Sequence, residues 1–303
     1  MRVNGVWIED TFAEAFTMRA ARVVITAKSD RWAREAALKL TGFATSVIGC
    51  KCEAGIERAL AAEETPDGRP GTSVLFLTMD KESLPTRLIE RLGQTVLTCP
   101  TTACFDGLPA APDRLGVGKA LRVFGDGFQA SKVIAGRRYW RIPVMEGEFL
   151  IDETFGMQKA VGGGNFLILA RDADAALVAA EAAVLAIEPM AGVILPFPGG
   201  IVRSGSKVGS RRYKKMIATT NDAFSPTVRP LTASALPEGV SAVLEIVLDG
   251  LDGGAIQDAM RAGIHAACGV GGEGRVISIS AGNYGGKLGP HHFPLRSIMA
   301  PGT

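Results

Sequence analysis

The residue most suited to chemistry is a carboxylate in an apolar setting. Glu245 interrupts the run Ala242-Val243-Leu244-Glu245-Ile246-Val247-Leu248. With the two-residue period of a strand, Val243, Glu245 and Val247 share one face, while Leu244, Ile246 and Leu248 share the other. Both faces are apolar, so the carboxyl is expected to be buried. Burial disfavours the charged form, raises the pKa and suits the group to exchanging protons near neutrality. A structural carboxylate paired with an arginine or lysine fits the same pattern, and the run alone leaves both readings open.

Two glycine-rich loops could bring ligand-binding groups to such a carboxyl. In SAGNYGGKLG (280–289), Gly285 and Gly286 would let backbone N–H groups approach a ligand, and Asn283 and Lys287 add polar handles. In PFPGGI (196–201), Gly199 and Gly200 precede a polar rim of Ser206, Lys207, Asn221 and Asp222. Other chemistries lack their spacing. The three histidines, His265, His291 and His292, form no HxxxH or HExxH pair, and no CxxC occurs, so no metal site is expected. Val161-Gly162-Gly163-Gly164-Asn165 precedes a strand, whereas a dinucleotide loop follows one and opens a helix. Glycines placed before a strand fit a bulge or close backbone approach instead.

The elements that must hold these groups repeat one pattern four times. RVVITA (22–27), a helical pattern over 29–40 and TSVIGC (45–50) form the first strand–helix–strand unit. SVLFLT (73–78), 84–92 and QTVLTC (94–99) form the second. NFLILA (165–170), 173–187 and GVILPF (192–197) form the third, and 242–250, 254–268 and RVISISA (275–281) the fourth. Two such units per half predict an α+β chain of two ferredoxin-like lobes, each a mainly antiparallel sheet flanked by helices. The polar stretch MEGEFLIDETFG sets the expected boundary, giving lobes 1–148 and 149–303. A sheet with helices on one face leaves the other to be covered by the second lobe or another copy, so a homo-oligomer is expected.

Composition narrows the class. The 303 residues carry 33 basic and 31 acidic side chains, a formal net charge of +2, which offers no field for nucleic acid or an anionic membrane. No apolar run reaches the ~20 residues of a membrane span. The start, MRVNGVWIED, turns polar and acidic too soon for a signal peptide. Five cysteines, an odd and irregularly spaced set, fit reduced thiols and a cytoplasmic protein.

IEDTFAEAF (8–16), EETPDGRPG (63–71), PFPGGI (196–201) and SAGNYGGKLG (280–289) carry a resemblance over nearly the whole chain. TGFATSVI (41–48), FGDG (124–127), GGNF (163–166), SKVGS (206–210), TNDAF (220–224) and LPEGV (236–240) extend it through both halves in order. The chain resembles the formylmethanofuran:tetrahydromethanopterin formyltransferases. The resemblance implies two ferredoxin-like lobes, a homotetramer and no prosthetic group or metal. It also implies transfer of a formyl group between the co-substrates methanofuran and tetrahydromethanopterin. The family's proposed catalytic carboxylate falls on Glu245, within LEIV. The near-neutral charge is similar to that of versions in methylotrophic bacteria, where a related subunit works beside formylmethanofuran-hydrolysing subunits. Donors to an oxyanion would be the Asn283 side chain or the glycine-rich backbone. Two competing readings are a non-catalytic small-ligand sensor built on ferredoxin-like repeats, and a scaffold subunit inactive on its own.

Overall fold

The computed structural model describes residues 1–272 and 274–300. By compactness these residues form two units, one of 18–160 and one of 1–17 with 161 onward.

In the first unit, residues 18–26 of the strand Phe12–Thr26 pair antiparallel with Gly71–Thr78, with Val23 opposite Val74. Glu53–Leu60 pairs antiparallel with Gly71–Thr78, and Ala103–Asp106 pairs antiparallel on the far side of the central strand. The helix Asp30–Thr41 buries Ala33, Ala36, Ala37 and Leu40, and Ser83–Arg91 buries Leu84 and Leu88. Ala36, Ala37, Leu40, Leu84 and Leu88 share one core with Ala21, Val23, Ile25, Val74 and Phe76 of the sheet. This is the ferredoxin-like strand order, extended by Gly147–Asp152, which runs parallel to Ala103–Asp106, and by the hairpin strands Arg137–Val144 and Ala130–Ile134.

Two strands expected in this unit are helical instead. TSVIGC becomes the short helix Val47–Cys50, because the Ser46 side chain caps it by accepting from Ile48 N, and Lys51 ends it in the left-handed region at φ 68°. QTVLTC continues the preceding helix as a turn of wider π type, Leu92–Val96, which buries Leu92 and Val96. The strands themselves follow each helix, at Glu53–Leu60 and Ala103–Asp106. The second turn is held by the burial of Leu92 and Val96, whereas Val47–Cys50 buries no side chain and rests on its cap.

The second unit repeats the order. Val193–Ile194, Ala242–Gly250, Phe155–Ala170 and Val276–Ser280 lie side by side, all antiparallel, and Val6–Ile8 adds a parallel strand beyond Val276–Ser280. The helices Ala173–Ile187 and Gly253–Val270 each start at an aspartate whose side chain accepts an N–H two residues into the helix, Asp172 from Ala175 and Asp252 from Ala255. Both helices pack on one sheet face, where Phe166, Ile168, Ile246, Leu248 and Ile279 meet Ala179, Ala183, Ile256 and Met260. The glycines at 162–164 accommodate a bulge against the strand Ala242–Gly250, with Gly163 at φ 88° and its N–H on Asp249 Oδ1.

The division by packing differs from the expected 148/149 boundary because Phe149 and Ile151 are core residues of the 18–160 unit. The first 17 residues join the other unit through Val6–Ile8 and through the pairing of 12–15 with His291–Pro294. Among the described residues no helix is long and apolar enough to cross a membrane.

Candidate active site

The sheet face turned away from the two helices of the second unit carries Glu245. In register, Glu245 lies opposite Leu167, which lies in turn opposite Ser280, and Val247 lies opposite Asn165. The alternation read from the sequence therefore places Leu244, Ile246 and Leu248 toward the helices and Val243, Glu245 and Val247 away from them. That second face is largely roofed within its own unit. Phe224, Leu236 and Val240 of the long 198–240 connection pack on Leu167, Leu169 and Val243. The same connection pairs with the strand edge at the carboxylate itself, where Val202 and Glu245 exchange backbone hydrogen bonds of 2.8 and 2.9 Å.

Glu245 is only partly exposed, and its carboxylate makes no hydrogen bond or ion pair among the described residues. Burial pushes its pKa from 4.5 up to about 7. No cation among the described residues offsets this burial, so a paired structural carboxylate is not found among them. A carboxyl poised at neutrality can both give and accept a proton at small cost.

Beside it Gly282 packs closely. A Cβ on Gly282 would come 3.6 Å from Glu245 Oε1 and 3.2 Å from Asn165 Oδ1. Asn165 brackets this glycine, accepting from Gly282 N at 2.6 Å and donating to Gly282 O at 3.1 Å. Gly282 is not among the glycines with positive φ, so turn geometry does not explain it. Its missing side chain lets the loop backbone pass close to Asn165 and Glu245.

The glycine-rich loop is organised by an anion of the protein's own. Glu14, in the strand Phe12–Thr26, accepts the N–H groups of Tyr284 and Gly286 on Oε2 at 2.7 and 2.8 Å. Its Oε1 accepts those of Leu288 and Gly289 at 2.6 and 2.7 Å. Burial alone would raise the Glu14 pKa, but these four bonds outweigh it and bring it down to about 2. The loop N–H groups expected to meet a ligand are thus spent: Gly286 donates to Glu14, and Gly285 donates to Asn283 Oδ1 at 3.1 Å. The Asn283 amide likewise donates to Thr11 Oγ1 and Phe12 O, both at 3.2 Å. These donors therefore have internal partners in place of the oxyanion role expected from sequence. Lys287 is exposed.

The polar rim of 198–240 divides. Ser206 hydrogen-bonds the phenol of Tyr284, and the Tyr284 ring sits 6.1 Å from Phe16 between centroids. Burial raises the Tyr284 pKa; the Ser206 hydrogen bond lowers it and the charges of Glu245 and Glu14 raise it further. Lys207 forms an ion pair with Asp222, whose pKa is lowered by that hydrogen bond. Asn221 packs its Cβ against Gly205. Gly199 and Gly200 serve the backbone, at φ 61° and 75°, and a Cβ on Gly200 would press on Val184 and Leu195. The structure thus brings Glu245, Gly282 and Asn165 together, pairs Ser206 with Tyr284, and leaves Gly199 and Gly200 as turn residues. Sequence reading passed over Glu14, Asn165 and Tyr284. Glu14 alternates with Phe12 and Phe16 in a strand, a pattern parallel to that of Glu245, and Tyr284 is the one aromatic in its loop.

Comparisons with known proteins agree with this architecture. The family model described as formylmethanofuran-tetrahydromethanopterin formyltransferase matches residues 1–144, and the model of that family's proximal lobe matches residues 147–298. These two matches meet near the polar stretch at 146–153, although the packing units divide elsewhere. The chain is 59% identical over 303 residues to the formylmethanofuran–tetrahydromethanopterin formyltransferase of Methylobacillus flagellatus, covering 99% of this chain and 100% of that one. The solved formylmethanofuran:tetrahydromethanopterin formyltransferase from Methanosarcina barkeri superposes with a TM-score of 0.93 at 52% identity, covering 98% and 100% of the two chains. A chain of the formyltransferase/hydrolase complex from Methylorubrum extorquens, solved with methylofuran, gives a TM-score of 0.96 at 48% identity, with 100% and 99% covered. With both lobe models matched and full-length identity this high, the chain belongs to the formylmethanofuran–tetrahydromethanopterin formyltransferase family.

Proposed function

We propose that this chain transfers a formyl group between the amine of methanofuran and N5 of tetrahydromethanopterin, with Glu245 as the group that moves the protons. The observation that carries this reading is a carboxyl raised to about 7 by burial, without an ion-pair partner among the described residues, where the glycine loop passes close at Gly282. The attacking N5 adds to the formamide carbon, the carbonyl electron pair moves to oxygen, and a tetrahedral intermediate forms. Collapse restores the carbonyl and breaks the bond to the furan-side nitrogen. N5 loses one proton and the departing nitrogen gains one, so a single carboxyl that takes the first and supplies the second is left unchanged at the end. A group held near pH 7 performs both halves with little cost, whereas an exposed carboxylate would be a poor acid.

Within this reading the two carriers are co-substrates, and no prosthetic group or metal takes part. Lys287, Ser206, Lys207, Asn221 and Asp222 form a polar rim suited to the carriers' outer parts, with Asn283, Gly285 and Gly286 shaping the loop behind it. Gly199 and Gly200 turn the chain into Val202 and so fix where that rim begins. A homo-oligomer, specifically a tetramer, is proposed from the resemblance; exposed Phe43, Phe124, Phe128 and Met145 give it apolar surface to cover. Association with formylmethanofuran-hydrolysing subunits is supported by the likeness to the Methylorubrum complex, and a cytoplasmic setting by five unpaired cysteines.

The purified chain, given formylated methanofuran and tetrahydromethanopterin, is expected to form the formylated pterin, followed by its absorbance. Glu245→Gln should lower kcat by about 10²–10⁴, the usual contribution of a positioned acid–base group. Near-normal turnover by that variant, with the fold intact, would remove Glu245 from the chemistry. Binding of both carriers without transfer by the unaltered chain would favour the sensor or scaffold reading.

A further inference from the structure

The glycine run Val161-Gly162-Gly163-Gly164-Asn165 is no phosphate loop, yet it ends on a side chain with a task of its own. Asn165 is buried and lies two residues before Leu167, on the sheet face that carries Glu245. Its Oδ1 accepts the Gly282 N–H at 2.6 Å, and its Nδ2 donates to Gly282 O and to Gly163 O, each at 3.1 Å. Gly163 stands at the bulge, at φ 88°, with its own N–H on Asp249 Oδ1 at 2.9 Å. The asparagine thus fastens Gly282 to a piece of backbone that is itself fixed. Gly282 passes so near Glu245 that a Cβ there would lie 3.6 Å from Oε1.

We propose that Asn165 is a positioning residue: by gripping both polar atoms of Gly282 it holds that glycine against Glu245 and keeps the Gly282 N–H from the carboxylate. This rests on the formyl-transfer reading above and names what maintains its acid–base group. A carboxylate that gains a backbone N–H is stabilised in its charged form. Glu14, with four such bonds from the same loop, shows how far that can go. Gly282 O also accepts from Glu14 N at 3.2 Å, so the carbonyl has a second anchor, whereas the N–H is held by Asn165. The charged and titratable groups on the elements around Glu245 have other engagements. Lys207 pairs with Asp222, and Arg229 donates to Leu236 O and Pro237 O. Glu14 is committed to the loop and Asp249 to Gly163, the Tyr284 ring sits 6.1 Å from Phe16, and Arg203 and Lys287 are exposed. Loss of the Asn165 amide would free the Gly282 N–H to turn to Glu245 and would let water in. Both effects favour the charged carboxylate, and a group that ionises too readily is a poorer proton donor to the departing nitrogen.

The test uses the full-length chain. Glu245→Gln, made in the unaltered chain and again in Asn165→Ala, reports on the carboxyl without any carrier, because the stability difference it causes grows as the carboxyl ionises. In the Asn165→Ala background the pH at which that growth levels off should fall by about one unit, and its height should shrink with it. With both carriers present, the acidic limb of the kcat profile, where a protonated carboxyl no longer takes the N5 proton, should move the same way by about one unit. A purely structural loss would lower kcat and leave the limb in place. Asn165→Ser, which keeps one polar group, should give a smaller shift of the same sign and keeps the test open if Asn165→Ala melts early. In the unaltered chain the Gly282 amide should exchange at least about tenfold more slowly than that of the exposed Gly285. A levelling-off and a limb that stay in place in the folded Asn165 variants would overturn the inference and leave the formyl-transfer reading standing. So would a Gly282 amide that exchanges as fast as that of Gly285. Absence of transfer by the unaltered chain would overturn the formyl-transfer reading, while the stability titration would still decide whether Asn165 governs the carboxyl.

Discussion

Replacing Glu245 by glutamine should make the protein more stable at alkaline pH. The folded carboxyl titrates at about 7 against an ordinary 4.5, with burial as the cause. A raised carboxylate pKa means that the folded state binds the proton more tightly than the unfolded one. The native state therefore gives up stability as pH rises from 4.5 through 7, and the full penalty applies above that window. At 1.36 kcal/mol per pKa unit, the shift sets an upper limit of about 3 kcal/mol. The side chain is partly exposed, so solvent screening reduces this to about 1–2 kcal/mol. Glutamine has nearly the same shape and no charge to desolvate. The difference in stability between Glu245→Gln and the unaltered chain should be near zero at pH 4.5, grow through pH 7 and level off by pH 8.5. Denaturant midpoints taken at half-unit pH steps measure it directly, and thermal melts at pH 8.5 should rise by a few degrees. The reasoning fails if the difference is independent of pH, or if the glutamine variant is the less stable at alkaline pH. Either result would mean that a partner compensates the carboxylate in solution.

Two further outcomes follow from groups whose environments oppose one another. Glu14→Gln should lower stability by about 2 kcal/mol by leaving loop N–H groups without their acceptor, and amide exchange should quicken at 284–289 in particular; unchanged exchange there would refute the anchoring role. Because the Glu14 pKa is depressed to about 2, its contribution is present above pH 4.5 and is lost as pH falls through 2, so the variant and the unaltered chain should converge in acid. Among the thiols, burial raises Cys50, but its bonds to Ser46 and Thr45 and the charge of Arg91 outweigh this and lower its pKa, while burial pushes Cys268 to about 12 and Cys104 well up. Alkylation followed by peptide mapping should find Cys50 labelled first and Cys104 and Cys268 last in the native protein; early labelling of Cys268 would contradict the packing.

How far the sequence could be read depended on the range of the forces involved. Glu245 was legible because the strand period is local: an acidic residue among alternating apolar ones can be seen in seven residues. Its surroundings were legible only as loops, SAGNYGGKLG and the rim with Ser206; Asn165 and Tyr284 were not, because what they meet depends on distant contacts. The same limit explains the two misplaced strands. TSVIGC and QTVLTC carry β-branched residues, but a Ser46 cap and the burial of Leu92 and Val96 settle them as helical turns. The glycine loop was the most misleading feature. Its spacing says that N–H groups converge on an anion, which is correct, but spacing cannot say that the anion is Glu14, some 270 residues earlier in the chain.

The internal anion at Glu14 has a bearing on selectivity inside a cell. Converging N–H groups in a glycine-rich turn make an attractive cradle for phosphate, and nucleotides and sugar phosphates are plentiful competitors for any such cradle. Here the cradle is sealed from within by a carboxylate that stays ionised far below physiological pH. The N–H groups of Tyr284, Gly286, Leu288 and Gly289 are then closed to phosphate, and the loop has its anchoring anion built in. The site next to it can admit large carriers on the strength of their own shape, free of the commonest anions around it.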